Sequence, residues 1–368
     1  MGTRLKVTER AGGHESPALP PISPFNPLKC AGEGGGPHRL PRLISFPSTD
    51  WGWGFGRGIV SGRGPLAPSR NHPRTVIFTA DDFGLAEAVN GAVVLAHRSG
   101  VLRCASLMAA APEAAQACSL ARGLPGLCLG VHLTLVQGSA VLSPGRIPHL
   151  VDSRGRFPAN PVAAGWRYFF QPRLLPEIRR ELAAQIETVL RAGLTPWHLN
   201  GHLNLHLHPR IFPLLVDLAR EYGVPGVRLA REDWRATLSL APDRPLPKVV
   251  QGLIFSLLGR RARRLAQDAG LVYNDHLFGL LNDGRMTEEF LLGLIPHLRP
   301  GVTEIYSHPA LYPDPELRRW APGYRHQEEL AALLSPRLQE ALAAAGVEVS
   351  DFRAQALKKQ PPGPGPRG

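Results

Sequence analysis

Between Trp197 and Pro209 the chain carries four histidines, His198, His202, His206 and His208, with Asn200 and Asn204 among them. All six polar positions are even-numbered. Alternate side chains of a strand share a face, so the pattern predicts imidazoles on one side and Leu199, Leu203, Leu205 and Leu207 on the other. Imidazoles at this spacing point to a metal site at the end of a core strand. Further polar groups close other apolar runs: Asp81 and Asp82, His132, and His308. Asp82, His132 and His202 would form an Asp/His/His set that leaves coordination positions open, which is the pattern of a catalytic metal. One divalent ion is expected. The donors suit Zn²⁺, and Mg²⁺ also fits if it keeps several waters. Such an ion would polarise a carbonyl and acidify water. Adjacent carboxylates on a strand point apart, so Asp82 is expected on the metal and Asp81 facing water as general base. His308, from a distant strand, could protonate a leaving nitrogen.

These groups need a scaffold. Thr75–Thr79 is a β-branched and aromatic run that reads as a buried strand delivering the aspartate pair. Ala86, Val89, Val93 and Ala96 then keep helical spacing up to Gly100. A strand is expected over 104–109, a helix over 113–122, and a strand over 127–135 that carries His132. Residues 138–173 are loop-rich and aromatic, an excursion over the site. A helix over 177–192 precedes the histidine strand. Beyond it come a helix over 210–222, a strand over 226–229 and a basic helix pair over 248–270. A strand over 275–280, a helix over 287–298 and a strand over 302–306 lead to His308. Helical residues 326–345 and a strand over 347–350 close the chain.

Strand and helix alternate, which predicts parallel strands with right-handed crossovers. The polar motifs sit at strand C-terminal ends, where a barrel builds its site. A doubly wound sheet would put a Gly-rich phosphate turn after the first strand, and here that turn is Asp-Asp-Phe-Gly. The expected fold class is therefore α/β, a distorted (β/α) barrel, as a single domain over 75–355. Residues 1–74 are rich in Gly and Pro and hold no helical or strand period, so they read as a disordered or mis-started extension. Residues 356–368 read as a disordered tail.

The chain has 368 residues, 43% hydrophobic, with a net charge of +12. Half of that charge lies in residues 1–74, and a second basic cluster is Arg260-Arg261-Ala-Arg263-Arg264. Neither is interleaved with aromatics, so no nucleic-acid partner is expected. The second cluster reads as a solvated helix face or as contact with an anionic surface. Cys30, Cys104, Cys118 and Cys128 lack metal-binding spacing and suggest reduced thiols in a cytoplasmic protein. No membrane span or signal peptide is legible, which leaves peripheral contact with the inner face of a membrane open. Oligomeric state is not legible.

Four motifs together resemble the YdjC-type carbohydrate deacetylases, relatives of chitooligosaccharide deacetylase. They are Phe78-Thr-Ala-Asp-Asp-Phe-Gly84, Gly130-Val-His-Leu133, His198-Leu-Asn-Gly-His202 with His206-Leu-His-Pro209, and Glu304-Ile-Tyr-Ser-His-Pro309. The resemblance spans roughly residues 75–355. It implies a distorted barrel, a divalent metal on Asp82, His132 and His202, Asp81 as base, and His308 as acid or oxyanion partner. The implied reaction is deacetylation of an N-acetylated sugar or glycolipid. Phe78-Thr79, Ser106-Leu-Met108, Leu124-Pro-Gly126 and Tyr168-Phe-Phe170 look closest to the HpnK branch, associated with hopanoid biosynthesis, which implies an N-acetylglucosaminyl hopanoid. Asn200 stands where the sugar-deacetylase branch usually has Asp, and Asn204 where another His is expected. His198, Asn200 and His206 are candidate substrate or supporting residues. Two alternatives remain: a metal-dependent phosphoesterase, which usually needs a second metal and basic clamps, and a non-catalytic metal-binding component of a lipid-modification assembly.

Overall fold

The computed structural model describes residues 73–359, so the extension expected over 1–74 lies almost wholly outside the described residues. In chain order the elements are β1 (Arg74–Phe83), α1 (Glu87–Ser99), β2 (Cys104–Leu107), α2 (Ala114–Arg122), β3 (Cys128–Leu133), α3 (Pro161–Phe170) and α4 (Leu175–Arg191). Next come β4 (His198–Gly201), α5 (Phe212–Glu221), β5 (Gly226–Val227), α6 (Trp234–Leu240), α7 (Pro245–Asp268), β6 (Val272–Tyr273), β7 (His276–Phe278) and α8 (Glu288–Leu294). The last are β8 (Gly301–Ser307), α9 (Pro315–Trp320), α10 (His326–Leu334), α11 (Pro336–Ala344), β9 (Val347–Ser350) and α12 (Phe352–Lys359).

The strands form one sheet in the order β6-β5-β4-β3-β2-β1-β8-β7, with β9 beside the first half of β1. Every strand pair is parallel. The sheet curls until Leu277 of β7 bridges Glu232, just past β5, where the Leu277 amide donates to the Arg231 carbonyl at 3.0 Å. The result is a distorted (β/α) barrel whose seam is closed by that bridge and by the Glu232 carboxylate, which accepts from the Leu280 and Leu281 amides.

Alternation along the strands sorts the side chains into two environments. Val76, Phe78 and Ala80 of β1, Val131 of β3 and Ile305 of β8 join the apolar layer beneath the helices. Thr79, Asp81, Ser106, His132, His198, Asn200, Arg228 and Glu304 form a buried polar column, linked by hydrogen bonds from strand to strand. Ile77, Cys104, Cys128 and Phe352 close the column at the N-terminal end of the strands. Cys104, Cys118 and Cys128 are free thiols.

The structure corrects several local expectations. The histidine run is a strand only over His198–Gly201; His202–Leu207 winds into a 3₁₀ turn with Leu203 and Asn204 left-handed, at φ 53° and 55°. The even-numbered face therefore ends at Gly201, because a left-handed residue breaks the alternation. Residues 138–173 contain α3, whose signal was legible: Asn160 caps Val162 and Ala163 through Oδ1, and Pro161 opens the first turn. The basic region over 248–270 is one helix rather than a pair. The tail expected from 356 is helical through Lys359, held in part by the buried Phe352 and Ala356 of α12.

Candidate active site

The site begins with an irregularity in β1. Pairing with β2 shifts between Ala80 and Phe83, and Asp82 takes φ 60°. A left-handed aspartate costs on the order of 1–3 kcal/mol and marks a backbone held for a purpose. Its effect is to re-aim one side chain, so that Asp81 and Asp82 line the same small cavity. The expectation that the two carboxylates point apart is overturned by this bulge.

Asp82 meets two imidazoles there. Its Oδ1 lies 3.1 Å from His202 Nδ1 and 3.3 Å from His132 Nε2. The donor atoms of Asp82, His132 and His202 fall within 4.8 Å of one another, and all three residues are buried. Burial would raise the Asp82 carboxyl, but the His202 charge and bonds from both rings hold it well below the usual carboxylate range. His132 Nδ1 lies 2.8 Å from Asn200 Oδ1, which can only accept, so Nδ1 carries a proton and Nε2, the nitrogen that faces Asp82, is the one placed to hold a metal. Two ring nitrogens and one carboxylate oxygen converging in this way fit a divalent cation, and the donor set suits zinc or magnesium.

Asp81 belongs to the polar column. Arg228 donates to both of its carboxylate oxygens, and Arg228 Nη2 also reaches Glu304 Oε1 at 2.9 Å. Asn200 Nδ2 donates to Asp81 Oδ1 at 3.2 Å and to Ser106 Oγ at 2.8 Å. Burial pushes the Asp81 carboxyl up, yet the Arg228 charge and, after it, His132 leave it far below its ordinary value. The Arg228 guanidinium is fully buried and lies 4.4 Å from the centre of the Tyr306 ring. Sequence reasoning passed over Arg228. The available signal was an arginine directly after the short strand Gly226–Val227, a place where an unpaired cation would not be left.

Across the cavity stands His308. Its Nδ1 is 3.4 Å from Asp283 Oδ1, and Tyr324 donates its hydroxyl to Asp283 Oδ2. Burial pulls the imidazole down, but Asp283 first, then Asp82 and Glu329, push it up to about 8. Asp283, raised mainly by burial, was also missed, because Asn282-Asp283-Gly284 reads as an ordinary turn.

Three candidates from the histidine run take other places. His198 is fully buried beneath the site, bonded to Ser106 Oγ at 3.1 Å and held neutral by burial, with its pKa lowered to about 3. It supports Asn200 through Ser106 and has no path to a substrate. His206 bonds the Arg228 carbonyl at 3.1 Å and is likewise buried, with its pKa lowered to about 3. Asn200 lies between His132 and Asp81. Asn204 does reach the cavity, where its Nδ2 donates to Tyr306 Oη at 3.2 Å.

Asp81, Asp82, His132, His202 and His308 thus share one cavity of about 30 Å³. It adjoins a cleft of about 670 Å³, with Leu85, Gln137 and Trp320 on the shared wall and Asp152, Arg156, Arg167 and Arg319 further out. The inner space takes about one water, and the outer cleft has the size and polar lining for a sugar.

The model of the YdjC-like protein family matches residues 75–344. The carbohydrate deacetylase of Geobacillus stearothermophilus is 33% identical over 285 residues, 76% of this chain and 98% of that protein. The carbohydrate deacetylase of Vibrio cholerae is 31% identical over 285 residues, 76% and 95% of the two chains. A crystal structure of a proposed cellobiose-phosphate cleavage protein from Enterococcus faecalis superposes with a TM-score of 0.60 at 26% identity, covering 77% of this chain and 99% of that one.

Proposed function

The chain belongs to the YdjC-like protein family, and on that premise we propose that it is a hydrolase that removes the acetyl group from an N-acetylated sugar with the help of one divalent metal ion. The observation that carries this reading is the single cavity shared by an Asp/His/His donor set, a second carboxylate and a histidine raised to about 8. A phosphoesterase would call for basic clamps. Among the described residues, the arginine bonded to the cluster is Arg228, which is fully buried and committed to Asp81 and Glu304.

Asp82, His132 and His202 would hold the ion, either zinc or magnesium. When bound, it supplies a Lewis acid that polarises the acetyl carbonyl and eases loss of a proton from water. Asp81 accepts that proton, its carboxylate fixed by Arg228 and by Asn200 Nδ2. His308, with Nδ1 facing Asp283, gives a proton from its other nitrogen to the departing amine. One water and one amide become acetate and a free amine.

Within this reading we assign the hopanoid-associated branch, with an N-acetylglucosaminyl hopanoid as substrate. The support is the set of motif cues at Phe78-Thr79, Ser106-Leu-Met108 and Tyr168-Phe-Phe170. Such a substrate places the enzyme in the cytoplasm, at the inner face of a membrane. Free, buried cysteines fit that compartment, and among the described residues no helix is long and apolar enough to cross a membrane. The test is direct. Purified protein loaded with zinc or magnesium is incubated with N-acetylglucosaminyl lipids and soluble N-acetylglucosaminyl sugars, and acetate and free amine are measured. Release from the lipid alone supports the branch assignment. Release from soluble sugars alone removes the hopanoid, and release from neither removes the deacetylase.

A further inference from the structure

The helix α7 turns a stripe of large apolar residues away from the barrel. Most of its fully buried positions are small: Gly252, Gly259, Ala262 and Ala266 are buried, together with Lys248. A Cβ added at Gly259 would come within 2.7 Å of the Ala230 carbonyl oxygen, so the helix backbone lies directly on the barrel wall. Phe255 and Leu265 pack against the core, but five other large apolar side chains point the other way. Leu246, Val250, Leu253, Ile254 and Leu257 are between 48% and 72% exposed. Their spacing of four, three, one and three residues is that of one helical stripe. Continued by one turn and then another, the same stripe becomes Arg260, Arg261 and Arg264. Among the described residues none of these three forms an ion pair, whereas Arg263, off the stripe, pairs with Asp275.

A helix packed on a globular protein should bury its large apolar residues and leave small or polar ones outside. Five exposed aliphatic side chains in one stripe form a contiguous apolar surface of the kind that marks an interaction site. A second such stripe lies on α3, where Val162, Trp166, Phe169 and Phe170 are all exposed. The two helices flank the segment that follows the metal-site turn. Phe169 meets the His208 ring edge-on at 6.0 Å, and Leu258 and Ala262 of α7 share a small cavity with Leu207 and Phe212. Apolar surface therefore borders the site's own loop on both sides.

We propose that the exposed stripe of α7 docks this protein onto an anionic lipid bilayer, with Leu253, Ile254 and Leu257 entering the headgroup boundary and Arg260, Arg261 and Arg264 meeting lipid phosphates. The charge selects this occupant. A chain of net charge +12 is repelled by a second copy and attracted by an anionic surface. Aliphatic and basic residues in one exposed stripe are also the combination by which interfacial helices hold to membranes. Docking does not depend on the deacetylase reading, and only the idea that it brings the site to a membrane-held glycolipid rests on it.

The test uses the full chain and vesicle co-sedimentation, with no substrate present. Phosphatidylcholine vesicles are compared with vesicles that also contain phosphatidylglycerol, at low and high salt. Strong binding is expected only to the anionic vesicles, weakening as salt screens the arginines. The Arg260→Glu/Arg261→Glu variant should bind at least roughly thirtyfold more weakly. Leu253→Glu/Leu257→Glu should lose binding while keeping the melting temperature and metal content of the parent. Absence of anionic-vesicle binding in the parent overturns the proposal. So does unchanged binding in both variants, which would place the contact in the basic N-terminal segment. A dimer in light scattering that the leucine variant dissociates would make the occupant a second copy. Deacetylation is assayed separately on a soluble sugar, so a docking failure and a failure of the activity remain distinguishable.

Discussion

Arg228 grips Asp81 through both terminal guanidinium nitrogens, deep inside the barrel, with the arginine fully buried and the carboxylate open only to the site cavity. The proposed base is therefore a carboxylate locked in its charged form and in one orientation. Its reach is set by β5 and β8 as much as by its own strand, since Arg228 also bonds Glu304. That pairing makes Arg228 a positioning residue. Arg228→Met should destabilise the fold by about 3–5 kcal/mol, the cost of leaving buried charge without its partner. Asp81, with a lowered folded pKa, stabilises the native state above its unfolded value near 3.8, and this contribution fades as pH falls below it. Urea unfolding at pH 7 and at about pH 2.5 checks both points: the variant should be weaker at pH 7 and less sensitive to acid. A variant as stable as the parent would show that the pair is not load sharing.

Metal retention tests the donor set. The parent should hold one divalent ion per chain, and His202→Ala should lose it while its circular dichroism stays native. Elemental analysis after gel filtration decides this. A variant with full occupancy and turnover would remove His202 from the set.

The aspartates should separate by role although they share a cavity. Asp82→Asn should lose metal, because a neutral amide is a poorer ligand than a carboxylate. Asp81→Asn should keep metal and lose about 10²–10⁴-fold in rate, the usual contribution of a general base. Metal analysis beside turnover numbers would show the reverse assignment as metal loss in Asp81→Asn alone.

The amide at position 200 gives a sharper handle on Asp81. Asn200 Nδ2 donates to Asp81 at 3.2 Å. In Asn200→Asp a second carboxylate would face Asp81 at that distance, and like charges raise the pKa of the pair. The acidic limb of the pH–rate profile should move to higher pH relative to the parent. An unmoved limb would mean that Asp81 does not set it.

On the basic side, His308 must be protonated to serve as acid, so rate should fall as pH rises through about 8. A bound divalent cation adds positive charge nearby and sets the loaded enzyme's limb at or below that value. Asp283 is the chief group that holds His308 up, so Asp283→Asn should shift the limb downward toward the ordinary histidine range. Stability follows the same sign: the His308–Asp283 contribution is full below about 6.5 and lost as pH rises through about 8. Coincident basic limbs in parent and variant would remove Asp283 from this role.

Much of this was legible in the chain itself. Alternating strand and helix periods point to parallel strands, because joining them takes a long crossover, most often a helix. Polar residues at the ends of apolar runs mark the strand ends where a barrel collects its side chains. That logic reached Asp81, Asp82, His132, His202 and His308 from four separate stretches. Tertiary structure decided what depends on dihedral angles and on partners distant in sequence. The left-handed Asp82 turned two carboxylates into one cavity where alternation predicted opposite faces. The left-handed Leu203 and Asn204 ended the histidine strand early and sent His206 to the Arg228 carbonyl instead of the site. Arg228 lies 147 residues from Asp81, and Asp283 lies on a turn like any other, so neither carries a local mark of its role. Sequence periodicity reports which face a residue prefers over a few turns of chain. A bulge, a buried ion pair or an outward apolar stripe such as that of α7 is settled only when the whole barrel closes and each polar group must find its partner.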